Sequence, residues 1–240
     1  MFQPNAAEPS RYALRTLVAR CVRAFGLAVA VLTAGFGAAQ AQVNPETCGQ
    51  IGGGNYGPFD YRSAGKFERN IVENAHFTPE VEALIRGKTN NHVGPDIRYT
   101  LGMFPNHHRA LVAAVRLTEK DRTDQPKGLR TIECYFERAL RFARDDLIVE
   151  GLYADWLIKK GRRAEAEVRI DQWLPKAENN PALQYSAGLL YLALGNPEKA
   201  LAQAQRAQAL GWPQKELAEK LRAGGHWRDP PQAAPAASAP

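Results

Sequence analysis

The sequence has few cysteines, little net charge and only one long apolar run. Three cysteines in 240 residues exclude a dense disulfide scaffold. The net charge is +6, but residues 1–41 hold four arginines and one acid, which leaves +3 over the other 199 residues. Nucleic-acid-binding proteins cluster Lys and Arg on one face, so this charge balance excludes that class. Because 45% of the residues are apolar, a fully disordered chain is excluded as well.

The long apolar run, AFGLAVAVLTAGFGAAQA, lies between Ala24 and Ala41 and follows the last of the four arginines. A basic segment, an apolar segment and a final small-x-small triplet are typical of a secretory signal peptide. We therefore predict a signal peptide over residues 1–41, cleaved after Ala41, and a periplasmic or secreted mature protein that begins at Gln42. Three glycines make the run poor material for a membrane span. An uncleaved N-terminal anchor remains the alternative, and only then would a membrane be a partner.

Cysteine counting agrees with export. Cys21 leaves with the signal peptide, so the mature chain keeps the pair Cys48 and Cys134, 86 positions apart. In an oxidising compartment such a pair favours one disulfide bond. Two unrelated buried thiols are the alternative.

Between residues 147 and 214 the chain matches itself at an offset of 34 residues. The matched pairs are Ala154 with Gly188, Leu157 with Tyr191, Gly161 with Gly195, and Ala166 with Ala200. Small and aromatic residues at this period resemble the tetratricopeptide repeat (TPR), a pair of antiparallel helices.

The copy over residues 181–214 carries the local signals of such a pair. Gly195 suits the left-handed end of a first helix, while Asn196 and Pro197 suit the N-cap and first position of a second one. In the copy over residues 147–180, Trp173 stands where the family has a small residue. Either the two helices splay there, or the indole reaches a neighbouring repeat.

The resemblance implies an all-α fold: a short right-handed α-solenoid of about three TPR helix pairs with a C-terminal capping helix and an irregular N-terminal segment. The three repeats span residues 106–146, 147–180 and 181–214, and the first needs a five-residue insertion within 119–128. Asn106 is expected to cap the first helix. The solenoid with its capping helix covers residues 95–223 and includes a leading helix over 95–103. Residues 42–94 are expected to be irregular with one helix that begins after Thr78 and turns Val81, Leu84 and Ile85 inward, and residues 224–240 to be a disordered Pro/Ala-rich tail.

Two motifs have simple explanations. Gly52, Gly54 and Gly57 satisfy GxGxxG, but no strand precedes and no helix follows, so a loop is expected rather than a nucleotide site. His107 and His108 diverge on a helix and cannot grip one metal together. A trio of His92, Asp96 and His108 is the alternative metal site. We expect no metal, no cofactor and no catalytic arrangement.

A TPR module binds a peptide or a helix of another protein in the concave groove lined by its first helices. By this resemblance we predict a non-enzymatic scaffold or adaptor for a protein partner in the cell envelope, with no nucleic acid involved. The predicted partner-binding residues are Arg116, Asp155, Ile158, Lys159, Tyr185 and Leu189. Tyr185 and Leu189 are expected to be the apolar anchors on the groove wall. The alternative is that a neighbouring repeat, or the N-terminal segment with Phe59, Phe67 and Phe77, packs over them, and binding then depends on Asp155, Lys159 and Arg116.

The stretches CGQIGGGNYGPFDYR and FPNHHRAL also resemble a group of exported bacterial TPR proteins, and the resemblance carries no activity with it. One alternative is an envelope enzyme or ligand-binding domain built on residues 42–105, with the repeats as its scaffold. A closed polar pocket around His76, His92 and Asp96 would favour it. A purely structural subunit of an envelope complex is a further alternative.

Overall fold

The computed structural model describes residues 48–52, 56–88 and 91–229, and within these ranges the chain is all-α, with no strand. The predicted all-α class is therefore confirmed. The predicted signal peptide over 1–41 and residues 230–240 of the predicted tail lie outside the described residues. The described helices are α1 Lys66–His76, α2 Pro79–Glu82, α3 Gly94–Met103, α4 His108–Asp121, α5 Ile132–Phe142, α6 Leu147–Lys159, α7 Arg163–Trp173, α8 Pro181–Ala193, α9 Pro197–Ala209 and α10 Glu216–Ala223.

Helices α6 to α9 form two consecutive pairs. Helix α6 packs on α7, α8 packs on α9, and α6 also packs on α8. The starts of α6 and α8 are 34 residues apart, as are those of α7 and α9. Asn180 and Asn196 cap α8 and α9 by accepting hydrogen bonds from the backbone N–H groups of Leu183 and Lys199, at 3.1 and 3.2 Å. Gly195 follows α8 with a φ of +71°, so the predicted helix ends are confirmed here.

The pair of α8 and α9 is held close by small residues. Ala200 and Ala204 are buried in the core, and Gly188 faces them from α8. A Cβ atom on Gly188 would overlap the side chain of Leu217 in α10 and lie 3.3 Å from the carbonyl oxygen of Ala200. The close approach of three helices therefore depends on the missing side chain.

We expect Gly188→Leu to destabilise the protein, because the added side chain must push apart α8, α9 and α10. Overpacking of this kind costs about 1 to 3 kcal/mol. For a chain of this size the midpoint of thermal unfolding should fall by about 2 to 12 °C. Gly151→Leu is the matched control, since a Cβ atom there meets no atom within 4 Å. Equal midpoints for the two variants would contradict the packing described above.

The N-terminal segment departs from the expected single helix. Residues 66–76 form α1, which was not predicted, and the predicted helix after Thr78 is only the four-residue α2. Val81 and Leu84 are buried as expected, but Ile85 is 70% exposed. The reason is the backbone of Leu84, whose φ of +58° turns the chain outward.

Helices α4 and α5 pack on each other and are joined by the long connection 122–131, in the region where an insertion is expected. Cys134 in α5 forms a disulfide bond with Cys48, as predicted. Helix α10 packs against α8 and α9 and buries Leu217 and Leu221, which are 1% and 0% exposed. None of the helices in the described ranges has the length and apolarity needed to span a membrane.

Candidate functional site

A continuous groove runs across α4, α6 and α8. Helix α6 lies between the other two and packs against both. A pocket of about 190 Å³ opens between α4 and α6, and one of about 270 Å³ opens between α6 and α8. Ile148 and Leu152 line both pockets, so the two join over α6. Further lining residues are Arg109, Val112 and Arg116 from α4, Gly151 and Asp155 from α6, and Leu183, Ser186 and Leu189 from α8.

The floor of the groove is apolar and partly open to solvent. Val112 and Ile148 are 38% and 47% exposed, although both line the concave pocket between α4 and α6. Gly151 deepens the neighbouring pocket, because open space lies where its side chain would be. A glycine inside a helix lowers the stability of that helix by about 1 kcal/mol relative to alanine. The groove thus offers two adjoining apolar depressions.

Charged side chains form the rim of the groove. Lys159 lies 3.2 Å from carboxylate oxygens of both Asp155 and Glu119. Burial tends to lower the pKa of Lys159, but the two carboxylates outweigh it and the pKa is raised. Arg109 forms a two-pronged ion pair with Glu82, with its Nε 2.8 Å from the carboxylate. Arg116 is exposed and makes no ion pair within the described residues. A cation is therefore available beside Val112.

Most predicted partner-binding residues lie on this groove. Arg116, Asp155 and Leu189 line its pockets, and Lys159 bridges α6 to α4 beside them. Ile158 is half-buried and packs against the core.

The prediction that Tyr185 is exposed on the groove wall is wrong. Its side chain is only 9% exposed, and its ring centroid lies 5.7 Å from that of Trp212. The chain that follows α9 folds back over this part of α8 and covers the tyrosine. Ser186 and Leu183 occupy the groove side of α8 instead. Helical spacing alone does not separate Ser186 from Tyr185, because the two lie three and four positions before Leu189.

The position of Trp173 decides between the two arrangements expected for it, a splayed helix pair or an indole that reaches a neighbouring pair. Trp173 is 2% exposed and lines the pocket between α6 and α8 together with Leu183 and Leu190. The indole therefore reaches the neighbouring helix pair, which is one of the two expected outcomes.

A second feature is a buried cluster of hydrogen-bonded polar groups, which we call the polar cluster: Asp60, Tyr61, Glu73, Asn106, His107, His108 and Asp146. Asn106 is fully buried at its centre. Its Nδ2 donates to Asp60 and Asp146, both at 2.8 Å, and its Oδ1 accepts from the N–H of Tyr61 at 3.0 Å. The expected role of Asn106 as a helix cap is wrong, because its amide is committed to these three partners.

His107 caps α4 in place of Asn106. Its Nδ1 accepts from the N–H of Ala110 at 3.1 Å, so the ring proton lies on Nε2, 3.0 Å from a carboxylate oxygen of Glu73. Tyr61 stacks on the ring at a centroid distance of 4.0 Å. Burial lowers the pKa of His107 to about 4, so the imidazole is neutral at pH 7. His107 itself has no exposed surface, whereas the Glu73 side chain is 24% exposed, so only the carboxylate of this pair reaches solvent.

The other histidines also have specific partners. His108 Nε2 lies 2.8 Å from Asp146, and His76 Nδ1 lies 2.9 Å from Asp96. His92 contacts Lys127, at 3.3 Å. The three residues of the alternative metal site thus engage different partners, and the described residues contain no group of three metal-binding side chains. A closed polar pocket around His76, His92 and Asp96 would favour the alternative of an envelope enzyme, and of these three residues His76 and Asp96 pair with each other.

No protein-family model, no curated protein and no solved structure matches this chain. The surface chemistry described above is therefore the basis for a functional proposal. The polar cluster joins the N-terminal segment to α4 and α6. Asp60, Glu73 and His108 are partly exposed, and His108 also lines the pocket between α4 and α6. The groove is open, apolar and rimmed by charges, which suits the side chains of a bound polypeptide.

Proposed function

We propose that this chain is an exported TPR-type interaction module. In this proposal it forms a short right-handed α-solenoid whose groove accepts a peptide or helix of a protein partner in the cell envelope. The 34-residue offset between the starts of equivalent helices supports the repeat assignment. The disulfide bond and the N-terminal sequence pattern support an oxidising compartment. Binding of this kind involves no cofactor and no catalysis.

The observation that carries the proposal is the exposure of Val112 and Ile148 inside a concave surface. Apolar side chains in a groove are costly to hydrate, and a bound side chain that covers them gains free energy from their burial. The deeper pocket beside Gly151 lies next to them and can take a second side chain of the same ligand. Two apolar depressions on either side of α6 fit anchors one or two helical turns apart, as in helix-in-groove recognition.

Replacing both Val112 and Ile148 by serine should weaken partner binding at least about tenfold, which corresponds to about 1.4 kcal/mol. Both side chains are partly exposed, so the fold should persist, and circular dichroism checks this. Ligand peptides selected from a displayed library with the disulfide-bonded protein as bait would provide the probe. Their dissociation constants for each variant are then measured by titration calorimetry.

Val168→Ser provides the matched control, because Val168 is 48% exposed on α7 and lines neither pocket. It should bind the selected peptides as the unmodified protein does. Peptides that bind the groove double variant as tightly as they bind this control would overturn the proposal.

A further inference from the structure

Three arginines surround the backbone of residues 48–50 on a surface outside the groove. Cys134, Arg138 and Arg141 recur at spacings of four and three residues, so they share one face of α5. The disulfide bond holds Cys48 over this face. Arg130, just before α5, completes the group: a Cβ atom on Gly49 would lie 3.3 Å from both terminal nitrogens of its guanidinium. We call Arg130, Arg138 and Arg141 the arginine face.

In the part of the chain that the structure describes, no acid compensates the charge of the arginine face. Arg138 is only 5% exposed, and its Nη1 donates to the carbonyl oxygens of Cys48, at 3.3 Å, and of Gly49, at 3.2 Å. Nη2 of Arg141 also donates to Gly49, at 3.2 Å. Within the described residues no carboxylate forms an ion pair with Arg130, Arg138 or Arg141. Burial lowers the pKa of Arg138, and the charges of Arg130 and Arg141 lower it further.

The acids of α5 cannot supply the missing charge, because they point to the opposite side. Glu133 and Glu137 share the hydroxyl donor of Tyr153, whose oxygen lies 3.0 and 3.1 Å from the two carboxylates. Meanwhile the Nε atoms of Arg138 and Arg141 are buried and have no hydrogen-bond acceptor. Buried charges in proteins are normally paired, since an unpaired one carries a large desolvation cost. Within the described residues, three clustered cations and two buried donors therefore have no acid beside them, and this arrangement favours the binding of an anion.

We infer that the arginine face binds a phosphate group, held by Arg130 and Arg141 at the edge of the Cys48–Gln50 backbone, with Arg138 as the buried counter-charge. Guanidinium groups are planar donors whose paired N–H groups match the oxygens of phosphate. The group can belong to free phosphate or to a phosphate monoester, which share this chemistry. The site lies on α5 and the groove on α4, α6 and α8, so this inference does not depend on the proposed peptide binding.

Titration calorimetry on the disulfide-bonded protein tests the site, with inorganic phosphate and glycerol 3-phosphate as ligands. Chloride at matched ionic strength gives the baseline. Tighter binding of glycerol 3-phosphate than of phosphate would identify a monoester as the preferred source, and tighter binding of phosphate would identify the free ion. Arg130→Gln and Arg141→Gln should each weaken binding at least tenfold, because each removes one of the two guanidinium groups that hold the anion.

Arg144→Gln is the matched control, since it removes one charge from an exposed position just after α5. It should bind phosphate as the unmodified protein does. Arg130 is exposed, so Arg130→Gln keeps the test valid even if Arg141→Gln fails to fold. The inference is overturned if phosphate gives no heat beyond the chloride baseline, or if Arg144→Gln weakens binding as much as Arg130→Gln does.

Discussion

A variant with serine at both Cys48 and Cys134 should have a free energy of unfolding about 4 kcal/mol lower than that of the disulfide-bonded protein. The bond joins residues separated by 86 positions, and closing a loop of that size in the unfolded chain removes about 4 to 5 kcal/mol of conformational entropy as an upper value. It also holds residues 48–50 against Arg138, so those contacts weaken as well. Denaturant titration followed by circular dichroism gives the difference.

Treatment with a reducing agent separates the effect of losing the disulfide bond from the effect of the serine side chains. It should destabilise the unmodified protein by a similar amount and leave the double-serine variant unchanged. If the two proteins unfold at the same denaturant concentration under oxidising conditions, the link between the N-terminal segment and α5 contributes nothing to stability.

Asp146→Ala should lower the free energy of unfolding by about 3 to 5 kcal/mol, a loss comparable to that of the disulfide bond. The reason is that Asp146 makes more hydrogen bonds than any other member of the polar cluster. The carboxylate of Asp146 is 1% exposed. It accepts from Asn106 and His108, both at 2.8 Å, and caps α6 through the N–H groups of Ile148 and Val149. Its removal leaves buried donors without an acceptor and a helix without its cap. The free energy of unfolding near neutral pH is the measurement.

Asp145→Ala is the control for this change. Asp145 is 81% exposed and only pairs with Arg62, so its replacement should leave stability nearly unchanged. Similar losses for Asp145→Ala and Asp146→Ala would contradict the connectivity of the polar cluster.

The pH dependence of the Asp146 effect has a defined sign. Burial tends to raise the pKa of Asp146, but hydrogen bonds from His108 and Asn106 outweigh it and lower the pKa. A carboxyl group whose pKa is lowered in the folded state stabilises that state at neutral pH and loses this contribution as acid protonates it. The difference between the unmodified protein and Asp146→Ala should therefore shrink below the ordinary pKa range of an aspartate.

Local signals made the C-terminal helix pairs predictable. For α8 and α9 the sequence contains an apolar stripe, the capping residues Asn180 and Asn196, and a glycine that ends the first helix. Each of these signals acts within one or two helical turns, so no knowledge of distant contacts is needed. The even pair Cys48 and Cys134 was likewise sufficient for the disulfide bond.

The polar cluster could not be predicted in the same way. Asn106 follows a turn and precedes a helix, which makes it look like a cap, yet its partners Asp60 and Asp146 lie 46 and 40 positions away. Hydrogen bonds between distant polar residues leave no periodic pattern in a sequence. Helix α1 was missed for a related reason: Val72 is its only buried residue, and no side chain caps its start.

Tyr185 shows a different limit of prediction from the sequence. Its position on α8 was judged from helical spacing alone, which tells which residues share a face but not what covers that face. The segment that covers it, with Trp212 and α10, follows α9, and α10 lies beyond residue 214, where the 34-residue self-match ends. Exposure at the end of an array depends on its terminal element.

Helix α10 also limits the addition of further helix pairs at this end of the molecule. Leu217 and Leu221 occupy the apolar surface of α8 and α9 to which any additional helix pair would have to attach. Lengthening the array at this end requires either removal of α10 or insertion of new helices before it. In the proposed binding mode, the span of polypeptide that the groove can accommodate therefore depends on where α10 lies in the chain.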